Sequence, residues 1–208
     1  MSKSTTHVLL VVDDSGSMGQ VANDVRGGFN SYIQSLIEDT EAKYRATVAV
    51  FSNTYETIAV NAKLKDVPEL TTANYKANGW STSLYDAIGR IVRDFNSANP
   101  KLPKDDRVML VVQTDGQDNS STEFTLADIR ALISDRTADG WNTIFLGAGM
   151  DTWQQGIGMG FGTSLKTQHT GAGTRTAYEA VTQTSRSYAR GATAEESGTE
   201  LREALTEN

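Results

Sequence analysis

The sequence predicts an α/β protein built on a doubly wound, mainly parallel sheet with helices on both faces. Continuous apolar runs that suit buried strands alternate along the chain with segments whose apolar residues recur at helical spacing. Strands that alternate with helices of this length favour parallel pairing through right-handed crossovers. The length of 208 residues suits one sizeable core and is short for two domains.

The first half of the chain supplies three strands and two helices. In order, we predict a strand at 8–12, a helix from 19 to about 38, strands at 46–51 and 55–60, and a helix at 84–95. The strand at 55–60 follows only a short turn, so we predict that it pairs antiparallel with its predecessor. Residues 68–83 are polar and aperiodic, which predicts mainly a surface loop.

The second half continues the alternation and then weakens. We predict strands at 107–112, 141–146 and 164–168, and helices at 124–136 and 174–188. The glycine-rich segments 147–149 and 156–162 are predicted to be tight turns, because neither forms a nucleotide-binding motif. From residue 191 the chain is polar and acidic, which indicates either a partly helical extension or disorder. We therefore expect one domain at 1–190 and an acidic tail at 191–208.

Composition narrows the possible partners. A formal charge of −7 argues against phosphate-driven nucleic-acid binding and is compatible with cations or a basic partner. No apolar run approaches the roughly 20 residues that span a bilayer, and the amino terminus lacks the features of a secretory signal. We therefore expect no membrane partner and a cytoplasmic or virion-associated location. The absence of cysteine excludes disulfides and a thiolate zinc site.

Polar side chains collect where ligands bind in such a sheet, at the carboxyl ends of the strands. Asp13, Ser15 and Ser17 follow the first strand, Asp115 follows a later strand, and Thr82 precedes a helix between them. Carboxylate and hydroxyl oxygens suit Mg²⁺, with Mn²⁺ or Ca²⁺ as alternatives, better than zinc or copper. Because neutral hydroxyls leave the ion electrophilic, we expect an open coordination position that a partner's Asp or Glu carboxylate can fill.

These residues resemble the metal-ion-dependent adhesion site of von Willebrand factor A domains. Residues 13–17 read Asp-Asp-Ser-Gly-Ser and match the family pattern Asp-x-Ser-x-Ser, residues 81–88 are similar to the threonine loop that enters a helix, and residues 111–116 are similar to the strand that ends in Thr-Asp-Gly. The resemblance extends over residues 8–151. One departure is the segment 79–83, Gly-Trp-Ser-Thr-Ser, where many relatives have paired glycines before the threonine and a proline after it.

The resemblance implies a six-stranded sheet with one short antiparallel edge strand. It also implies that Ser15, Ser17 and Thr82 coordinate the metal directly, whereas Asp13 and Asp115 act directly or through water.

Other chemistry-bearing residues have simpler interpretations. A polar loop that caps the next helix is the alternative for residues 13–17. We expect Asp14 to face solvent or cap a helix, Asp118 to be a turn residue, and the isolated His7 and His169 to be surface or packing residues. Trp141 and Trp153 are expected to be structural, whereas Trp80 is either an exposed contact beside Thr82 or a core residue.

Three functions remain open. The leading hypothesis is a non-enzymatic, metal-dependent module that captures a partner protein's carboxylate, in a phage or bacterial assembly. A Mg²⁺-dependent phosphatase of the haloacid-dehalogenase type would use Asp13 as the nucleophile, but it requires a second aspartate where Ser15 stands. The third is a structural assembly subunit whose metal is architectural.

Overall fold

The apolar runs of the sequence form six strands in the computed structural model, which describes residues 4–206. They are β1 (Thr5–Asp13), β2 (Lys43–Phe51), β3 (Tyr55–Lys63), β4 (Arg107–Thr114), β5 (Asn142–Ala148) and β6 (Thr163–Thr167). They form one sheet in the order β3-β2-β1-β4-β5-β6, in which β3 pairs antiparallel with β2 and the other pairs are parallel. The predicted fold class, including the antiparallel edge strand, is confirmed.

Helices cover both faces of this sheet. They are α1 (Ala22–Ile37), α2 (Leu84–Ala98), α3 (Leu126–Ala138), α4 (Met150–Gly158), α5 (Gly171–Ala189) and α6 (Ala194–Thr206), with short 3-10 helices at Gly16–Val21 and Leu64–Asp66. Successive residues of β1 point to opposite faces. Val8 and Leu10 pack with α1 and α5 in one apolar cluster, whereas Leu9 and Val11 pack with α2 and α3 in the other.

The order of the strands places a crevice at the carboxyl ends of β1 and β4. From β1 the chain crosses to β2 on one side, and the later β4 pairs with β1 on its other side. Connections that leave neighbouring strands in opposite directions open a crevice at this topological switch point. Four of the residues predicted to bind metal therefore lie at the ends of the two strands that flank this crevice, whereas Thr82 lies just before α2.

One local prediction is wrong in part. Residues 156–158, predicted to belong to a glycine-rich turn, end α4, and the ring of Phe145 leaves no room for a Cβ atom at Gly156. Residues 68–83 lie mainly at the surface, as predicted, but Leu70 and Tyr75 within this loop are buried in the core. The hydroxyl of Tyr75 donates a 2.8 Å hydrogen bond to the carbonyl of Asp13, so this segment supports the end of β1.

The region after residue 190 is mainly helical, because α6 extends over Ala194–Thr206. In α6, Leu201 and Ser197 are fully buried, and Ser197 accepts a 2.9 Å hydrogen bond from Asn142 of β5. Of the two alternatives for the tail, the helical one therefore holds for residues 194–206, whereas residues 207 and 208 lie outside the described part. The boundary between 190 and 191 stays a prediction. No helix among residues 4–206 is both long and apolar enough to cross a membrane.

Candidate metal centre

Asp13 ends β1 with its carboxylate fully buried. One carboxylate oxygen accepts a 2.7 Å hydrogen bond from the Ser15 N–H, and the other accepts a 2.5 Å bond from the Thr114 hydroxyl of β4. Burial raises the pKa of Asp13 to about 6, although these hydrogen bonds oppose the shift. Within residues 4–206, no Lys or Arg forms an ion pair with this carboxylate. A bound cation would supply the charge that the fold does not.

Ser15, Ser17 and Asp115 form a connected cluster beside Asp13. The Ser15 and Ser17 hydroxyl oxygens lie 3.1 Å apart, and the Ser17 hydroxyl donates a 2.7 Å hydrogen bond to the Asp115 carboxylate. Ser15 is buried, whereas Ser17 is exposed. Oxygen atoms from two distant stretches of sequence are thus already within hydrogen-bonding distance of each other.

Thr82 lies against the turn that carries Asp115. A Cβ atom at Gly116 would be 3.1 Å from the Thr82 hydroxyl oxygen, so glycine permits this close approach. Asn119 fixes the backbone of Thr82 in two ways: its side-chain oxygen accepts a 2.8 Å bond from the Thr82 N–H, and its own N–H donates a 3.0 Å bond to the Thr82 carbonyl. Asn119 is not among the predicted site residues, although its position in a polar turn after Asp115 is a local signal for such a role.

The 13–17 loop is tied to the segment that leads to Thr82. Gly16 N–H donates a 2.7 Å bond to the Gly79 carbonyl, and Gly79 N–H donates a 3.1 Å bond to the Asp14 carbonyl. One oxygen of the Asp14 carboxylate also accepts hydrogen bonds from the N–H groups of Lys76 and Ala77. Asp14 is partly exposed and also orders a neighbouring loop, a role that was not predicted.

His169 is partly exposed, in line with the prediction of a surface or packing residue, but it also lies beside a predicted metal ligand. Its Nδ1 lies 3.5 Å from the Asp115 carboxylate, on the oxygen that Ser17 does not contact. The residue belongs to the connection between β6 and α5, so only the strand order brings it to the site. No local pattern in the sequence signals this approach.

Three residues near the sheet were assigned simpler roles than metal binding: His7, Asp118 and Trp80. His7 is a buried packing residue, as predicted, with its Nε2 3.0 Å from the Asp106 carboxylate. Asp118 is confirmed as a turn residue, because its carboxylate accepts bonds from the Tyr85 N–H and the Ser121 hydroxyl. Trp80 takes the exposed alternative, with 88% of its surface accessible.

The donor set suits a hard divalent cation. Among residues 4–206, no three His, Cys, Asp or Glu side chains are grouped so that they could hold a metal ion. A metal site at this edge would therefore need Ser and Thr hydroxyls beside the carboxylates of Asp13 and Asp115. Such neutral and anionic oxygens fit Mg²⁺, Mn²⁺ or Ca²⁺.

Comparison with protein families identifies the family to which this fold belongs. The family model for the von Willebrand factor type A domain matches residues 7–164. This chain belongs to that family. Von Willebrand factor A domains are generally protein-interaction modules, often metal-dependent, rather than enzymes. The match begins in β1 and ends in β6, so it contains each of the predicted metal-binding residues.

Solved structures show the same domain fold. The chain is similar to proximal thread matrix protein 1 from the mussel byssus, with a TM-score of 0.64 and 16% identity over 86% of this chain and 47% of that one. Another structure of that mussel protein is described as having a zinc-occupied MIDAS motif, the abbreviation for the metal-ion-dependent adhesion site, with a TM-score of 0.63 and 15% identity over 86% of this chain and 47% of that one. The ArnB paralog VWA2 from Sulfolobus acidocaldarius is similar with a TM-score of 0.59 and 19% identity over 85% of this chain and 45% of that one.

These likenesses concern the fold of the von Willebrand factor A domain. The chain spans about half the length of the solved structures it matches. No curated protein sequence matches it.

Proposed function

We propose that this von Willebrand factor A domain is a divalent-metal-dependent module that captures a carboxylate of a partner protein, in a phage or bacterial assembly. The observation that carries the proposal is the contact between Ser17 and Asp115 beside the buried carboxylate of Asp13, which forms no ion pair with a Lys or Arg among residues 4–206. With Thr82 and Ser15, these residues would hold the ion. The bound ion supplies positive charge at an open position, where an Asp or Glu side chain replaces water.

The protein's own part is to hold the oxygen donors in place before the ion arrives. Thr114 and the Ser15 N–H fix the Asp13 carboxylate, and Asn119 fixes the backbone of Thr82. This prior ordering reduces the entropy lost on binding. Because the Ser17 side of the cluster is exposed, a partner has access to the ion from that side.

The donor chemistry favours Mg²⁺ as the ion. The mussel relative with zinc in its adhesion motif supports a divalent ion at this position. Carboxylate and hydroxyl oxygens without a thiolate suit Mg²⁺ better than zinc. The phosphatase alternative gains no specific support, because a serine rather than a carboxylate lies two residues after Asp13.

Calorimetric titration with MgCl₂ tests the metal step. The wild-type protein should bind one equivalent, whereas Asp13→Asn and Asp115→Asn should show no saturable heat. Asp105→Asn is the matched control, because this exposed carboxylate precedes β4 and so lies at the opposite end of the sheet. Unchanged Mg²⁺ affinity in both site variants would refute the proposed metal site.

Selection of displayed random peptides tests the carboxylate step. Peptides retained in Mg²⁺ and released by EDTA should all contain Asp or Glu, and replacing that residue by Asn or Gln should abolish binding. Retention that EDTA leaves unaffected would contradict carboxylate capture, even if the protein bound Mg²⁺.

A further inference from the structure

An exposed tryptophan lies on the loop that carries Thr82. Trp80 is 88% accessible, well above the next large apolar side chain, Ile157, at 53%. Its backbone is not free, because the Trp80 N–H donates a 3.1 Å bond to the Asn53 side chain and the preceding Gly79 is bonded to the 13–17 loop. The fold therefore presents an indole ring to solvent from an anchored position beside the metal centre. Tryptophan in such a position is typical of residues that dominate protein interfaces.

A polar hollow of about 290 Å³ adjoins the indole. Its lining residues include the acidic Asp14 and Glu56, the basic Lys76, and several asparagines from the 52–54 turn and the 73–79 segment. Among residues 4–206, the hydrogen bonds to the Asp14 side chain all reach one oxygen, and Glu56 has no side-chain hydrogen bond or ion pair. Two acidic groups against one basic group leave the hollow with net negative charge.

We propose that this hollow receives a basic side chain, arginine in particular, from the same partner segment that supplies the carboxylate to the metal. The inference rests on the proposed function. The guanidinium group stacks on the indole of Trp80 and donates hydrogen bonds to Asp14 and Glu56. Tryptophan is the aromatic residue that attracts cations most strongly, and the planar guanidinium group presents several donors to carboxylates at once.

The spacing of the two subsites limits the partner's sequence. Trp80 and Thr82 are two residues apart, and two residues of chain span at most about 7 Å. We therefore expect the basic residue within about three positions of the captured Asp or Glu. An apolar side chain in the hollow would bury the free oxygens of Asp14 and Glu56 without partners, which is unfavourable.

Sequencing the Mg²⁺-retained, EDTA-released peptides tests this inference. We expect Arg or Lys to be enriched within three positions of the shared acidic residue. Enrichment of apolar residues there, or no preference at all, overturns the inference but leaves carboxylate capture standing. If no peptide is released by EDTA, both the proposed function and this inference are wrong.

Substitutions in the hollow test whether it is the source of the preference for a basic residue. For a selected peptide, Trp80→Leu and Glu56→Gln should each weaken binding about two- to fivefold, as expected for an exposed cation–π or ion-pair contact. The same variants should leave the affinity of a version with Gln in place of the basic residue unchanged, and Glu56→Lys should reverse the preference between basic and acidic neighbours. Asp105→Asn and Ile157→Ala are the matched controls for charge and exposed apolar surface.

Nuclear magnetic resonance identifies the contact itself. The chain contains three tryptophans, so the indole N–H signals can be assigned by substitution. Addition of the basic peptide in Mg²⁺ should shift the Trp80 signal, whereas the buried Trp141 should not respond. Equal affinity of all peptides for wild-type protein and for Trp80→Leu would exclude the indole from the interface and overturn the inference.

Discussion

Two buried carboxylates at opposite ends of the sheet are held in different ways. Asp39, between α1 and β2, accepts hydrogen bonds from the Tyr44 hydroxyl at 2.8 Å, the Glu41 N–H at 3.0 Å and the Arg190 guanidinium group at 3.2 Å. Asp13 accepts bonds from neutral groups alone within the described residues. Burial raises the pKa of Asp13, whereas the three donors outweigh burial and lower the pKa of Asp39.

The difference separates a structural carboxylate from one that suits an external cation. At Asp39 the fold supplies the positive charge, so the group joins α1, β2 and the end of α5. At Asp13 the fold supplies two neutral hydrogen-bond donors but no positive charge. A buried carboxylate without a positively charged partner is unfavourable in the metal-free protein. Such local instability is common at functional sites and is offset elsewhere in the core.

The largest expected effect comes from removing the charge of Asp13. Asp13→Asn should weaken Mg²⁺ binding at least about 100-fold, since loss of a ligand should exceed the 10- to 100-fold effects of residues that only orient ligands. In EDTA the same variant should be about 1 kcal/mol more stable than wild type, because it no longer buries an unpaired charge. Calorimetry and urea denaturation measure the two effects. A destabilised metal-free variant would contradict the comparison.

A steric change in the packed core should lower the stability of the protein and leave its Mg²⁺ affinity unchanged. Gly28 of α1 lies against the ring of Tyr178 of α5, and a Cβ atom there would collide with it. Gly28→Ala should lower the free energy of unfolding by about 2 kcal/mol through overpacking, with Mg²⁺ affinity unchanged in the folded protein. Urea denaturation and calorimetry check both effects.

The adjacent glycine provides a matched control for this variant. A Cβ atom at Gly27 meets nothing within 4 Å, so Gly27→Ala should stabilise the helix by about 1 kcal/mol. Equal destabilisation by both substitutions would show that helix geometry, rather than contact with Tyr178, limits the α1–α5 packing.

Tyr75 links the packed core to the predicted metal site. Its side chain is buried in the core, and its hydroxyl donates a hydrogen bond to the carbonyl of Asp13. Tyr75→Phe should destabilise the protein by about 1 kcal/mol, the net value of one buried hydrogen bond. Mg²⁺ affinity should fall only a few-fold, since the carboxylate keeps its bonds from Ser15 and Thr114. Full retention of stability would show that the bond contributes nothing to holding the end of β1.

Features that depend on residues close together in the sequence could be predicted. Features that depend on contacts between distant segments could not. The strands and the residues Asp13, Ser15, Ser17 and Asp115 were accessible because apolar runs and short polar spacings are local patterns. Thr82 was accessible through its place at a helix entry. The role of Tyr75 was not, since it lies in an aperiodic segment and is buried only by elements distant in sequence. The approach of His169 to Asp115 depends in the same way on strand order.

The smallest expected effect is the pH dependence contributed by Asp39. Because its pKa is lower in the folded protein than its ordinary value of 3.8, ionised Asp39 stabilises the fold above that pH, and this contribution is lost as the pH falls through the folded pKa. Asp39→Asn should therefore flatten the decline in stability below about pH 4 relative to wild type. Urea denaturation at pH 7 and pH 3 measures this difference, with Asp105→Asn as the exposed control. An equal decline in wild type and Asp39→Asn would mean that Arg190 and Tyr44 do not stabilise the charged form, and the contrast with Asp13 would then rest on geometry alone.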